Sequence, residues 1–331
     1  MSKEESMIGI SCGDFTGIGP EVTLKALATQ KAKKYLLLGD FQRLQQLNES
    51  LGLNLPLVPL PTSQTPPPAD SILCHSPANP LPEGLQPGDG VAAAAALDCL
   101  RDGAKRCLRG ELDALVTAPV NKASILRLGQ PFVGQTEFLA ELAGTKRFAM
   151  MLVGDDGQGH FLRVILATTH LPIRKVADSL SASKIQTAIE LAAEACRDLN
   201  LPRARIGVCG LNPHAGEEGE LGREEIELIA PAVARVRANG IDVAGPFAAD
   251  TLFYHAYHGA YDAVVAMYHD QGLVPLKMIG FDRGVNVTLG LPFVRTSPDH
   301  GTAYDIAGQG RANPASMIAA LQLAEELAVR R

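Results

Sequence analysis

Short, nearly continuous apolar runs alternate along this chain with longer stretches in which apolar residues recur every three or four positions. The runs MIGISCGD (7–14), KYLLLGD (34–40), DALVTAP (113–119), RVILATTH (163–170), RIGVCGLNPH (205–214), DAVVAMYHD (262–270) and GVNVTLGLP (284–292) predict buried strands. The longer stretches 20–34, 88–110, 136–144, 180–199, 222–240 and 313–331 predict helices. This alternation predicts an α/β protein with a mostly parallel sheet covered by helices on both faces. Residues 54–90 break the rhythm. They are rich in proline, have room for a short strand at SILC (71–74) and for no long helix, and read as a surface excursion. The alanines at 92–96 read as a helix interior.

Composition narrows the class. The chain has 331 residues, 46% of them hydrophobic, which predicts two cores more readily than one. The net charge of -6, with no basic cluster or aromatic ladder, argues against nucleic acid as a partner. A phosphorylated ligand would then be held by a few local cations. The start MSKEESMIGI lacks a signal-peptide core, and no apolar run approaches the ~18 residues of a membrane span. The six cysteines show no CxxC pairing and read as reduced thiols of a cytoplasmic protein, with Cys209 in a core strand.

The strand ends carry the chemistry. His170, His214 and His269, three of the eight histidines, each follow a predicted strand, as do Asp14 and the Asn121–Lys122 pair. Ligands of open α/β sheets bind at the carboxyl ends of strands. Three neutral imidazoles that leave a coordination position open suit a catalytic divalent ion, zinc most readily. The competing reading is a set of ordinary loop histidines, with His214 beside a solvated acidic run. Asp250 and Asp270 are acids able to orient an imidazole or accept a proton. His75 and His160 read as surface residues, and His255 with His258 as a helix-surface pair at i, i+3.

Anion handles lie elsewhere. Lys277, Asn286 and Arg295 fall in apolar, glycine-rich segments, where a cation either meets an anion or reaches solvent from a strand end. GQTEFLAELAG (134–144) reads as a helix with Thr136 as N-cap, and its free N–H groups beside Gln135 form a phosphate seat. GDFTGIGPE (13–21) fails the dinucleotide fingerprint for want of a third glycine, and Pro20 marks a tight turn into a helix. The glycine-rich segment 297–316 allows close approach of a flat ligand.

Taken together, GDFTGIGPE, TAPVNK, GQTEFLAELAG, ATTHLP, NPHAGEEGELGREE, YHDQGLVPLK and GVNVTLGLPFVRTSPDHGTAYDIAGQG resemble the 4-hydroxythreonine-4-phosphate dehydrogenase family of vitamin B6 synthesis. The resemblance runs in order from residue 7 to about residue 320, and the segment DHGTAYDIAGQGRANP is also similar to isocitrate and isopropylmalate dehydrogenases. It implies two α/β/α domains with an interdomain cleft: a cofactor-side domain of residues 1–130 plus 275–331, and a metal and dimerisation domain of residues 131–274. It implies a homodimer whose partner helps complete each site. It assigns His170, His214 and His269 to a divalent metal (Zn²⁺, Mg²⁺ or Co²⁺), Thr136, Lys277, Asn286 and Arg295 to substrate, and Gly301 and Thr302 to NAD or NADP. The implied reaction is oxidation of 4-phosphohydroxy-L-threonine to a 3-oxo acid, which decarboxylates to 3-amino-2-oxopropyl phosphate, with Asp270 or Asp250 as the proton acceptor. One position departs from the family: Gln135 stands where the family has histidine, and glutamine cannot carry charge. That departure keeps open the same chemistry on another phosphorylated four-carbon acid, a threonate or erythronate phosphate. A non-catalytic metabolite-binding homologue and a purely structural metal site are the remaining alternatives.

Overall fold

The computed structural model describes residues 6–30, 34–61, 68 and 70–330. The leader reading at residues 1–5, the helix expected over 31–33 and part of the proline-rich excursion lie outside the described residues.

In chain order the elements are β1 (Met7–Ser11), α1 (Gly19–Leu27), β2 (Lys34–Leu38), α2 (Phe41–Ser50), β3 (Leu57–Pro59), β4 (Ile72–His75), α3 (Gly90–Leu108), β5 (Ala114–Thr117), α4 (Lys122–Arg127) and α5 (Gln135–Leu142). There follow β6 (Ala149–Asp155), β7 (Phe161–Leu166), α6 (Val176–Ser179), α7 (Ala182–Asp198), β8 (Ile206–Cys209), α8 (Ala230–Ala238), β9 (Val243–Phe247), α9 (Ala249–Tyr257), β10 (Ala263–Ala266), α10 (His269–Gly280) and β11 (Val285–Leu289). The chain ends with β12 (Val294–Pro298) and α11 (Ala315–Ala328).

Two compact units divide the chain: residues 1–146 with 291–331, and residues 147–290. The expected crossings at 130/131 and 274/275 fall earlier in the chain than these. Two contacts explain the difference: α5 packs against α3 of the first unit, and α10 packs against β6 and β7 of the second.

In the first unit the strand order is β3-β4-β2-β1-β5-β12, all parallel. Ile8, Ile10, Leu37, Leu38, Leu115 and Val116 fill its core. The alanine run of α3 buries Ala92, Ala93, Ala95 and Ala96 as expected. The helix lies close on the sheet: a Cβ at Gly103 would stand 2.6 Å from Leu115 and 2.7 Å from Leu38. In the second unit the order is β11-β6-β7-β10-β8-β9. Here β7, β10, β8 and β9 run parallel, while β6 pairs antiparallel with both β7 and β11. Met150, Leu152, Leu162, Val164, Leu166, Val264, Leu273 and Leu276 pack on one face of this sheet. The sheet is thus less uniformly parallel than the alternation predicts, because β6 and β7 form a hairpin around Asp156–His160 with no helix between them.

Several elements depart from expectation. Lys277 lies in α10 and not at a strand end; the segment 269–280 is a helix that tolerates Pro275 in its interior. Strands β3, β6, β9 and β12 and helices α2, α4 and α6 carry no sequence prediction. His75 is not a loop residue: it ends β4, and its Nε2 stands 3.7 Å from Asp102. Burial and the Arg106 charge hold its imidazole below the usual histidine range. Thr136 is not the N-cap of α5, because Gly134 occupies that position and the helix begins one residue earlier, at Gln135. His160, His255 and His258 are exposed, as read. All six cysteines are buried and unbridged, and burial raises each thiol pKa, that of Cys99 to about 12. Among the described residues no helix is long and apolar enough to cross a membrane.

Candidate active site

The second unit brings its histidines to one edge through strand order. His170, His269 and His214 follow β7, β10 and β8, three strands adjacent and parallel in that order. Their carboxyl ends therefore share one side of the sheet. Two hydrogen bonds tie the ends of β7 and β10 together: the Ala167 N–H donates to the Ala266 carbonyl at 2.9 Å, and Thr168 Oγ1 donates to the Met267 carbonyl at 2.6 Å. As a result the imidazoles of His170 and His269 lie with centroids 5.2 Å apart.

His269 opens α10, and Asp270 Oδ1 stands 2.8 Å from its Nδ1. A carboxylate accepting from Nδ1–H leaves Nε2 with its lone pair outward, the tautomer a metal ligand needs. Gln271, unremarked in the sequence, pins this turn to the neighbouring strand. Its Oε1 accepts from the Met267 N–H at 2.7 Å and its Nε2 donates to the Gly210 carbonyl, also at 2.7 Å. Gly210 directly follows β8 and leads into the His214 loop.

That loop is unusual. His214, Ala215, Gly216, Glu217 and Glu218 have φ values of 52°, 53°, 82°, 44° and 58°, a left-handed turn of mostly non-glycine residues. Each such non-glycine residue costs about 1–2 kcal/mol. The His214 side chain is 68% exposed, with Nδ1 3.6 Å from Glu217. Glu217 and Glu218 belong to this turn, ahead of the helix predicted over 222–240. That helix starts as a single π-type turn over Glu225–Ile229, and Glu225 is buried.

The donor chemistry suits a divalent ion at the paired imidazoles: two aromatic nitrogen donors, with a carboxylate behind one. Among the described residues, no group of three or more His, Cys, Asp or Glu side chains stands ready to hold a metal. His170 and His269 are thus brought together, and His214 is not placed as a third ligand. Asp250 lies exposed in the first turn of α9, where its Oδ1 accepts from the Thr251 N–H at 3.0 Å.

The first unit holds the anion handle. Arg295 lies on β12, only 2% exposed. Its Nε and Nη2 donate to Thr117 Oγ1 at the end of β5, at 3.2 and 2.7 Å, and Nη2 also donates to Gln135 Oε1 at 3.0 Å. Gln135 Nε2 donates in turn to the Ala118 carbonyl at 3.1 Å. The glutamine thus has both ends of its amide engaged, one of them on the arginine. Burial pushes the guanidinium pKa down to about 10, against the opposing pull of Glu137. Thr136 is buried in the first turn of α5. In the second unit Lys277 Nζ stands 5.8 Å from the Phe281 ring centre, and Asn286 Oδ1 is buried with no hydrogen-bond partner among the described residues.

Also in the first unit, the two glycine-rich segments form one structure. The Ile18 N–H donates to the Thr302 carbonyl at 2.9 Å, and Tyr304 donates to Asp14 Oδ2 at 2.6 Å. The other oxygen of Asp14 accepts from Thr16 N and Oγ1 at 2.9 and 2.7 Å. Beside them opens a cavity of about 550 Å³ lined by Phe15, Gly17, Arg43, Gln46, Tyr304 and Gly308. Thr302 backs this loop rather than lining the cavity, and a Cβ at Gly301 would meet nothing within 4 Å. Tyr304 and Gly308 belong to the glycine-rich segment singled out in the sequence, whereas Arg43 and Gln46 carry no motif signal, because α2 and the C-terminal loop meet only in the fold.

Comparison with known proteins decides the family. Residues 31–324 match the pyridoxal phosphate biosynthetic protein PdxA family. The chain belongs to the PdxA family. A relative from Chromobacterium violaceum, a 4-hydroxythreonine-4-phosphate dehydrogenase, is 46% identical over 97% of each chain. A D-threonate 4-phosphate dehydrogenase from Pectobacterium atrosepticum is 42% identical over 97% of this chain and 99% of that one. The solved structure of a putative 4-hydroxythreonine-4-phosphate dehydrogenase from Salmonella typhimurium has a TM-score of 0.86 at 39% identity, covering 98% of this chain and all of that one. At the level of fold alone, a β-decarboxylating dehydrogenase from Thermococcus kodakarensis is similar, with a TM-score of 0.52 at 14% identity over 97% of this chain and 83% of that one. The PdxA family match thus extends over both units, and the two curated relatives above are named as dehydrogenases of phosphorylated substrates.

Proposed function

We propose that this chain is a divalent-metal-dependent, NAD(P)-linked dehydrogenase. It oxidises 4-phosphohydroxy-L-threonine to a 3-oxo acid, which loses CO2 to give 3-amino-2-oxopropyl phosphate. The observation that carries this reading is the His170–His269 pair at adjacent strand ends, with Asp270 behind His269, in a chain of this family.

Zn²⁺, Mg²⁺ or Co²⁺ bound by His170, His269 and His214 would lower the pKa of the substrate's secondary alcohol and stabilise negative charge developing on oxygen. Asp270 fixes the His269 tautomer and, 81% exposed, is open to accept a proton through water. Asp250 is the second candidate base. Oxidation removes a hydride from the carbinol carbon to the nicotinamide and a proton to the base. The 3-oxo carboxylate then breaks its C–C bond to CO2, and its electrons return with a proton to the product carbon. Arg295, Lys277, Thr136, Asn286 and Gln135 bind the substrate, with Arg295 as the buried cation for an oxyanion. Gly301 and Thr302 belong to the cofactor loop, whose neighbouring cavity has room for part of a dinucleotide.

Gln135 favours a second reading. A neutral glutamine engaged with Arg295 alters the charge offered to a phosphorylated substrate, and relatives named for D-threonate 4-phosphate are about as similar as those named for the amino acid. Reduced-nicotinamide absorbance, followed with 4-phosphohydroxy-L-threonine and with threonate and erythronate phosphates, separates the two. A rise with the amino acid that disappears with chelator is the expected result. A rise only with the non-amino acids would replace the substrate and keep the chemistry, and no rise with any would favour a binding homologue.

The homodimer belongs to the same proposal. Val274 and Met278 on α10 and Phe281 at its C-cap form an apolar stripe exposed at 60%, 82% and 74%, on the helix that carries His269 and Lys277. A second copy of the chain covering it would bring a neighbour beside these residues. Light scattering is expected to give a dimer mass for the native protein and a monomer mass for Met278→Glu/Phe281→Glu. A monomeric native protein would remove the dimer.

A further inference from the structure

The acidic run after His214 contains one residue that is not solvated. Glu225 is 3% exposed, although Arg223, Glu224 and Glu227 beside it in sequence are charged. Its Oε1 accepts from the backbone N–H groups of Leu211 and Asn212, both at 2.7 Å, and its Oε2 accepts from Asn212 Nδ2 at 3.0 Å. The Asn212 amide is steadied further by Glu224 Oε2 at 2.7 Å. Two glycines make room for the carboxylate. A Cβ at Gly210 would stand 3.0 Å from Oε1, and one at Gly216 would stand 2.6 Å from Oε2. The Glu225 carboxyl therefore fills the inside of the turn, between its entry at 210–212 and its apex at Gly216.

His214 sits between those two points, in the run of left-handed residues. A left-handed conformation is disfavoured for every non-glycine residue there and persists only when its surroundings hold it. Hydrogen bonds to an ionised acceptor are the strong kind, and two of these go to consecutive backbone N–H groups at the loop entry. The entry is also anchored on its other side, where the Gly210 N–H donates to the Phe247 carbonyl at 2.7 Å and the Gly210 carbonyl accepts from Gln271. The rest of the loop, with His214 at 68% exposed, is closed by its own backbone, where the Ala215 N–H donates to the Asn212 carbonyl and the Leu221 N–H to the Gly216 carbonyl, both at 3.1 Å.

We propose that Glu225 is the positioning residue for His214: its buried carboxylate holds the left-handed turn closed and so sets the direction in which the imidazole is offered to a divalent cation. This rests on the reading of His214 as a metal ligand. The structure has the turn formed and His214 directed to solvent, so Glu225 acts on the backbone of the loop and not on the ring itself.

The test is a cobalt(II) titration of the full-length protein, followed by calorimetry and by the visible absorption of the bound ion. It compares wild type, His214→Ala, Glu225→Gln and the double variant, each checked by circular dichroism. Glu225→Gln keeps the size and one acceptor oxygen but loses the charge. It is expected to weaken cobalt binding about 10-fold and to alter the spectrum, the range typical of groups that support a ligand. His214→Ala is expected to weaken it more, and the double variant to be no weaker than His214→Ala alone. Glu225→Asp, which keeps the charge, is expected to recover part of the affinity, and it carries the test if Glu225→Gln does not fold. Wild-type affinity in Glu225→Gln beside weakened His214→Ala would overturn the proposal alone. A further loss on adding Glu225→Gln to His214→Ala would also overturn it, as the effect would not run through the histidine. Wild-type affinity in His214→Ala would remove the ligand reading and the proposal with it.

Discussion

His269→Ala is expected to lower kcat by about 1,000-fold or more while shifting the melting temperature by only a few degrees. Polarisation of the alcohol by a bound cation contributes several kcal/mol to the transition state, and each 1.36 kcal/mol is a factor of ten in rate. The fold has little at stake. The ring is 32% exposed, its contacts are His170 and Asp270, and alanine is well tolerated at the start of a helix. Asp270→Asn is expected to act through the same ring, with a smaller loss of about 10–100-fold in metal affinity or activity. Initial rates and a metal titration on the same preparations check both. A His269→Ala protein that binds the ion and turns over at the native rate would end the assignment of this edge of the sheet as the catalytic centre.

The second large effect belongs to Arg295, where activity and stability are expected to part. Arg295→Met removes a guanidinium that burial already disfavours, as its lowered pKa reports. Exchanging a buried charge for an apolar side chain of similar length is often neutral or stabilising. Against this, Thr117 Oγ1 and Gln135 Oε1 lose a donor, although the threonine hydroxyl is free to turn elsewhere. The melting temperature is therefore expected to change by no more than a few degrees. Catalysis is expected to collapse, with kcat/KM for the phosphorylated substrate falling about 100- to 1,000-fold, because a charge-assisted bond to an oxyanion is lost where water is excluded. Arg295→Lys keeps the charge but not the fork and is expected to fall between. Native kcat/KM in a folded Arg295→Met protein would take Arg295 out of the substrate site and leave it a structural residue of β12.

Much of this protein was legible in its pattern. The apolar runs at 7–14, 34–40, 113–119, 163–170, 205–214, 262–270 and 284–292 all contain strands, and the alanine-rich stretch at 90–108 is one long helix. Those segments are unambiguous because a buried parallel strand is hydrophobic on both faces and an amphipathic helix repeats every three or four residues. Strand β6 is not legible locally: AMMLVGD has no β-branched run, and it becomes a strand by pairing with both β7 and β11. The start of α10 reads locally as the end of a strand, since HDQGLVPLK carries a glycine and a proline that argue against a helix when only local propensity is considered.

The candidate site divides the same way. Residue type and position after a strand were enough to single out His170, His214 and His269, and the ordered motifs were enough to name the family. Which strands are neighbours is a property of pairing between distant segments, 100 residues apart for β7 with β10 and 57 for β8 with β10, and only the β7-β10-β8 order puts those three loops on adjacent ends. The same holds for buried charge. Nothing local separates Glu225 from Glu217, Glu218 and Glu220, or Arg295 from an exposed arginine, because solvation depends on what packs against a side chain and not on its neighbours in the chain. The sequence by itself determined the alternation of strands and helices, the family and the residue types offered to a ligand. Tertiary structure decided which of them meet: an imidazole pair in place of a finished three-histidine cluster, a glutamine clasping the buried arginine, and an acidic run with one carboxylate turned inward to hold a left-handed turn. Each of these outcomes rests on contacts between distant segments, and these form only once burial has fixed the strands side by side.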